Sequence, residues 1–169
     1  MKVVNVKAVI YDKKYKFLSG YNSITNFHQH HYSVLGGHSE KNETPFETMQ
    51  REVFEESSMV LNLETDGEKI YLVDFKNHMI PLRLDGILND NGKLFVFLFA
   101  NLSLETYMSS WRKKFYQNQS KLIMQLGRLD PKDISQIPYY LENENLVLIT
   151  PNQMKKKNGL YERQILDYV

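Results

Sequence analysis

The sequence predicts an α/β domain with a mixed β-sheet, and three observations carry that prediction. Short runs rich in Val, Ile, Leu and Phe recur early, centrally and late, set apart by Asn, Asp and Gly turns. One amphipathic helix interrupts them with a complete N-terminal capping signature. A longer stretch with bulky residues at helical spacing follows the central strands. The 169 residues suit a single domain spanning 1–169, with no internal repeat, low-complexity tract or linker to divide it.

Residues 2–11 read as a first strand, Asp12-Lys13-Lys14 as a turn and 15–19 as a partner strand. Residues 21–31, polar and aromatic with three histidines, read as a loop. A short strand over 32–35 runs into a tight bend at Gly36-Gly37. The helix over 44–57 has Thr44 as N-cap, Pro45 at its first position and Glu47 completing a capping box. Phe46, Met49, Val53 and Phe54 form its apolar stripe. Strands are expected over 69–75, 81–88 and 93–102, the last two joined by the hairpin turn Asn89-Asp90-Asn91-Gly92. Tyr107, Trp111, Phe115, Leu122 and Leu126 mark one face of a helix over 104–126. A late strand over 147–150 and short helices over 151–157 and 161–168 complete the chain.

Composition removes several function classes. There is no cysteine, hence no disulfide, thiolate metal site or Cys nucleophile, and any metal must be held by oxygen or imidazole. A formal charge of +1, from 21 basic and 20 acidic side chains, gives no global pull toward nucleic acid. The N-terminus lacks the apolar core of a signal peptide, and the longest apolar run is far short of the roughly 20 residues that span a bilayer. A soluble cytoplasmic protein without membrane contact is expected.

The chemistry concentrates in 37–59, which reads GHSEKNETPFETMQREVFEESSM. Glu52, Glu55 and Glu56 stand at i, i+3 and i+4, so a helix presents all three carboxylates on one face. Three like charges that close destabilise a helix, and their place near its negative C-terminal end makes matters worse. A hard divalent cation such as Mg²⁺ or Mn²⁺ reverses that penalty, because such ions prefer carboxylate oxygen.

This segment resembles the Nudix box, G-x5-E-x7-R-E-U-x-E-E-x-G-U with U aliphatic. Gly37 opens it, Glu43 follows after five residues, Arg51-Glu52-Val53 after seven more, then Glu55-Glu56, with Met59 at the last apolar position. Ser58 stands where the family has glycine, and Leu35 precedes Gly36-Gly37 where the family has proline. The resemblance implies a Nudix fold, with the mixed sheet sandwiched between helices and a helical insertion around 104–126. It implies a metal-dependent hydrolase in which water attacks phosphorus and a phosphoanhydride bond of a nucleotide derivative breaks. Glu52, Glu55 and Glu56 would be the metal ligands, together with the Gly36 carbonyl, and Glu43 and Arg51 the ion pair that fastens the helix. The attacking water would lose its proton to Glu52 or to a loop acid, Glu142 or Glu144. The substrate is expected to be a nucleoside triphosphate, dinucleoside polyphosphate or nucleotide sugar. Removal of RNA caps and nucleotide sensing without hydrolysis are the alternatives. Serine at the helix end is expected to cost about 1 kcal/mol, since glycine there usually adopts the left-handed conformation.

Other residues carry weaker expectations. His38 abuts Gly37 and is the best candidate among the histidines for a phosphate contact, whereas His28, His30 and His31 read as a solvated loop. Tyr21, Phe27 and Tyr32 are candidate stacking partners for a nucleobase. Arg112-Lys113-Lys114 and Lys155-Lys156-Lys157 would track RNA under the cap-hydrolysing alternative, but runs this short are more often solvated helix faces. The aromatic stripe over 107–126 would suit core packing or a homodimer contact.

Overall fold

The computed structural model describes residues 5–22, 31–125, 140–155 and 165–166. Eight strands, β1 (Asn5–Asp12), β2 (Phe17–Asn22), β3 (His31–His38), β4 (Leu61–Asp66), β5 (Lys69–Asp74), β6 (Met79–Asp90), β7 (Lys93–Ala100) and β8 (Asn145–Ile149), form one sheet in the order β4-β5-β6-β7-β1-β3-β2-β8. Among the described residues the helices are α1 (Pro45–Glu56), α2 (Glu105–Gln125) and α3 (Pro151–Lys155). The sheet is mixed because β1 and β7 run parallel, from Asn5 opposite Lys93 to Asp12 opposite Ala100, while the other pairs are antiparallel.

Strand alternation sorts the apolar residues into two layers. Val6, Ala8, Ile10, Leu35 and Leu98 face one side, where Met49 and Val53 of α1 and Trp111 and Phe115 of α2 complete a buried cluster. Val9, Phe17, Val34, Phe95, Phe97 and Ile149 face the other, closed by Met154 of α3 and by Ile165. Helices therefore cover both faces of the sheet, as expected. The Tyr107–Trp111–Phe115 stripe belongs to the core: Trp111 and Phe115 are fully buried, and the Trp111 indole N–H donates to Asp74 at 2.9 Å. Leu126 lies outside the described residues. No described helix is long and apolar enough to cross a membrane.

Several boundaries differ from the sequence reading, each for a reason of pairing. β3 does not stop at Leu35. It continues through Gly36-Gly37 to His38 because β1 offers partners at every step, with Ala8 opposite Leu35 and Asn5 opposite His38. Tyr21, Asn22 and His31, read as loop, are strand residues; Tyr21 pairs with Tyr32 and Asn22 with His31. β4 was not anticipated. Its alternation of Leu61 and Leu63 with Asn62 and Glu64 is short, and six cross-strand partners in β5 hold it. The expected hairpin forms as a two-residue turn at Asn91-Gly92, both with positive φ (51° and 82°), while β6 extends back to Met79.

Candidate active site

The site begins with the cap of α1. Thr44 accepts from the Glu47 N–H and the Glu47 carboxylate accepts from the Thr44 N–H, so the capping box closes in both directions. Met49 and Val53 anchor α1 on the sheet, turning Arg51, Glu52, Glu55 and Glu56 toward β3 and the loop after it.

Arg51 is the hub. Its Nε and Nη2 grip Glu43 in a two-point contact at 2.8 and 3.0 Å. Nη1 donates to Glu52 at 2.9 Å and to Glu55 at 3.3 Å, and Nη2 also donates to the His38 carbonyl at 2.8 Å. Glu43 accepts further from the Glu40 N–H at 2.7 Å and the Thr48 hydroxyl at 3.1 Å. These donors hold the Glu43 carboxyl well below the usual range, at about 2, with Arg51 the main cause. The Arg51 pKa rises further for the same reason.

The other acids shift the opposite way. Burial pushes Glu55 up to about 7, with the Glu52 charge adding to it and Arg51 opposing. Burial pushes Glu56 up to about 8, although the Gly36 N–H donates to it at 2.6 Å and Lys7 partly offsets its charge. Partial desolvation and the Glu52 charge raise Glu142 as well, with Lys7 again opposing. Arg51 thus acts on Glu43, Glu52 and Glu55, Lys7 acts on Glu56 and Glu142, and the Glu52 charge reaches Glu55, Glu56 and Glu142. The bend at Gly36-Gly37 allows the close approach this needs. A β-carbon at residue 37 would stand 2.5 Å from the Glu52 carboxylate, and one at residue 36 would stand 2.2 Å from the Val6 carbonyl oxygen.

The donor set suits a hard divalent cation in chemistry, since every side-chain donor is a carboxyl oxygen and burial disfavours the charged forms of Glu55 and Glu56, which a cation would favour. It is not a closed ligand sphere. Among the described residues no three acidic or imidazole side chains meet closely enough to share an ion. The hydrogen bonds explain this: Glu52 and Glu55 lean on Arg51, while Glu56 turns to Gly36.

The elevated Glu56 pKa has a thermodynamic consequence in protein stripped of metal. A carboxyl that holds its proton more tightly when folded stabilises fully below its unfolded pKa, and that contribution is lost as pH rises through about 8. Stability of the metal-free protein is therefore expected to fall between about pH 5 and pH 8, by up to about 1.4 kcal/mol per pH unit for this group. Urea unfolding in EDTA at several pH values measures the slope, and Glu56→Gln should flatten it. An equally steep slope in the variant would clear Glu56 of the effect.

The remaining residues fall where the sheet puts them. Glu142 lies in segment 140–144 and shares the field of Glu55 and Glu56. The Glu144 N–H donates to the Tyr21 carbonyl at 2.8 Å. His38 contributes its carbonyl to Arg51, and its ring is exposed. Tyr32 points with Val34 into the cluster under α3, on the sheet face opposite α1, and packs on Tyr21 at 5.3 Å. Phe27, His28 and His30 lie outside the described residues. The Arg112-Lys113-Lys114 run is partly occupied structurally, because Arg112 donates to the Leu146 carbonyl at 3.0 Å and Lys114 lies 5.6 Å from the Phe75 ring centre.

Three contributors were not legible beforehand. Lys7 reaches the acids through the register that sets it opposite Gly36. Thr48 is buried and bonds Glu43 and Ser39. Asn118 interrupts the apolar stripe of α2, and that polar interruption was the one available signal.

Residues 1–117 match the NUDIX domain family. The chain belongs to the Nudix family. No curated protein sequence matches it. Among solved structures, a NUDIX hydrolase from Nitrosomonas europaea is 18% identical, with 99% of this chain and 88% of that one aligned and a TM-score of 0.48. A NUDIX-family hydrolase from Clostridium perfringens is 16% identical over 100% of this chain and 99% of its own, with a TM-score of 0.43. The matched span includes residues 37–59, which hold the acidic helix face and the arginine hub described above.

Proposed function

We propose that this Nudix protein is a divalent-metal-dependent pyrophosphohydrolase acting on a small nucleotide derivative. The observation that carries the reading is the convergence of Glu52, Glu55, Glu56 and Glu142 in one field that Arg51 and Lys7 only partly neutralise. Such a concentration of negative charge is costly unless a cation joins it. Glu52, Glu55 and Glu56, with the Gly36 carbonyl, would hold Mg²⁺ or Mn²⁺. When bound, such an ion supplies neutralisation of the diphosphate and a more acidic water.

The chain's own residues do the rest. Arg51 fixes the acidic face by holding Glu43, Glu52, Glu55 and the His38 carbonyl together. Glu142 takes the proton of the attacking water as its oxygen bonds to phosphorus and the bridging P–O bond breaks. Its raised pKa brings it closer to neutrality, where a general base works best. Glu142 is preferred to Glu144 because its charge is among those that raise Glu55 and Glu56.

A turnover panel tests this: nucleoside triphosphates, dinucleoside polyphosphates, nucleotide sugars and capped RNA, each with Mg²⁺, Mn²⁺ or EDTA. Metal-dependent turnover of a small nucleotide is expected, with Glu142→Gln lowering kcat about 10²–10⁴-fold and Glu144→Gln within threefold of wild type. Turnover confined to capped RNA would replace the substrate class. Nucleotide binding with no turnover under any condition would replace the enzyme reading with a sensing module.

A further inference from the structure

Ser58 breaks the motif, yet it is fully buried and heavily bonded. Its hydroxyl donates to the Tyr140 carbonyl at 2.6 Å and accepts from Gln119 at 3.2 Å, and its own carbonyl accepts from Asn118 at 2.7 Å. Gln119 also donates to the Asn143 carbonyl at 2.6 Å, and the Asn143 side chain donates to the Glu56 carbonyl at 3.1 Å. The backbone is thus gripped at residues 140 and 143, on either side of Glu142. Asn118 and Asn143 are buried too, so releasing these bonds would leave polar groups unpaired in the interior.

Ser58 sits at φ +51°, a conformation that costs a non-glycine residue about 1 kcal/mol. Glycine would avoid that cost but could not reach Tyr140 or receive Gln119. The departure from the motif therefore exchanges local strain for a tie between the end of α1, the middle of α2 and segment 140–144.

We propose that Ser58 and Gln119 are positioning residues that clamp segment 140–143 so that the Glu142 carboxylate faces Glu52, Glu55 and Glu56. This rests on the reading of Glu142 as proton acceptor. A clamp of this kind acts through preorganisation, where displacement of a reacting group by about 1 Å can cost about 10²-fold in rate.

The test uses full-length Ser58→Ala, Ser58→Gly, Gln119→Ala, Glu142→Gln and the double variant Ser58→Ala/Glu142→Gln. In metal-free protein, amide hydrogen exchange over 140–145 should quicken about tenfold or more in Ser58→Ala and Gln119→Ala, while that of α1 stays unchanged. With a nucleoside triphosphate, or whichever panel nucleotide turns over faster, Ser58→Ala should lower kcat about 10–100-fold with KM within about threefold. In the Glu142→Gln background the same change should alter kcat less than about twofold, since its route is already cut. Ser58→Gly, which also sheds the positive-φ cost, should lose kcat like Ser58→Ala while melting above it, which separates positioning from folding. Unchanged exchange over 140–145, or a Ser58→Ala loss that persists in full beside Glu142→Gln, would overturn the clamp while leaving Glu142 as base. Wild-type kcat in Glu142→Gln would overturn the base assignment, and the clamp's catalytic role with it.

Discussion

Glu55→Gln should abolish turnover while leaving the protein folded and slightly more stable at pH 8 in EDTA. The expected fall in kcat/KM is about 10³-fold or more, or about 4 kcal/mol of transition-state stabilisation, because the variant removes one charged oxygen donor from the proposed metal site. The stability gain follows from the direction of the Glu55 shift. Burial and Glu52 raise its pKa to about 7, so the folded state resists its charge above that pH, and a neutral amide of the same shape removes the penalty. Its bond to Arg51, at 3.3 Å, is the longest of the guanidinium's hydrogen bonds to carboxylate and is the smaller loss. Thermal unfolding with and without Mn²⁺, beside steady-state kinetics, checks both halves. The wild type should gain stability from Mn²⁺ and the variant far less. Turnover within tenfold of wild type would remove Glu55 from the site.

Arg51→Ala should damage fold and function together. The side chain is 22% exposed and its partners Glu43, Glu52 and Glu55 are 16%, 12% and 14% exposed, so the charges left behind are poorly solvated. Breaking a largely buried pair by deleting one partner costs about 3–5 kcal/mol; with the residual exposure, about 2–4 kcal/mol is expected here. For a chain of this size that lowers the melting temperature by roughly 5–15 °C. The pH dependence follows with its sign. Glu43, held near 2 by Arg51, contributes stability above its unfolded pKa and loses it as pH falls toward 2. Without Arg51 that contribution disappears at neutral pH, and the variant should lose less on acidification than the wild type. Arg51→Lys should fall between the two, since one ammonium cannot reproduce the two-point grip on Glu43 while reaching Glu52 and the His38 carbonyl. A melting temperature within 1 °C of wild type in Arg51→Ala would remove the hub from the account.

The chemistry of the site was legible because it is local. Thr44, Pro45 and Glu47 announce a helix start, and the spacing of Glu52, Glu55 and Glu56 from that start fixes their common face. Gly37, Glu43 and Arg51 stand at set distances from the same helix, so the motif could be read without knowing the sheet. The helix over 105–125 and the Asn91-Gly92 hairpin were likewise written in period and turn chemistry.

What the sequence could not supply is whatever depends on pairing between distant segments. Register sets Lys7 beside Gly36 and so near Glu56, and strand alternation sends Tyr32 to the face away from α1. Neither follows from local composition, because a shift of one residue would reverse every side chain of a strand. Ser58 shows the same division. The sequence by itself determined that a residue other than glycine occupies the end of the box, and hence that strain arises there. Only the tertiary structure decided what that strain accompanies, because Tyr140, Asn118 and Gln119 are brought to its hydroxyl and carbonyl by packing across 60 to 82 positions of chain.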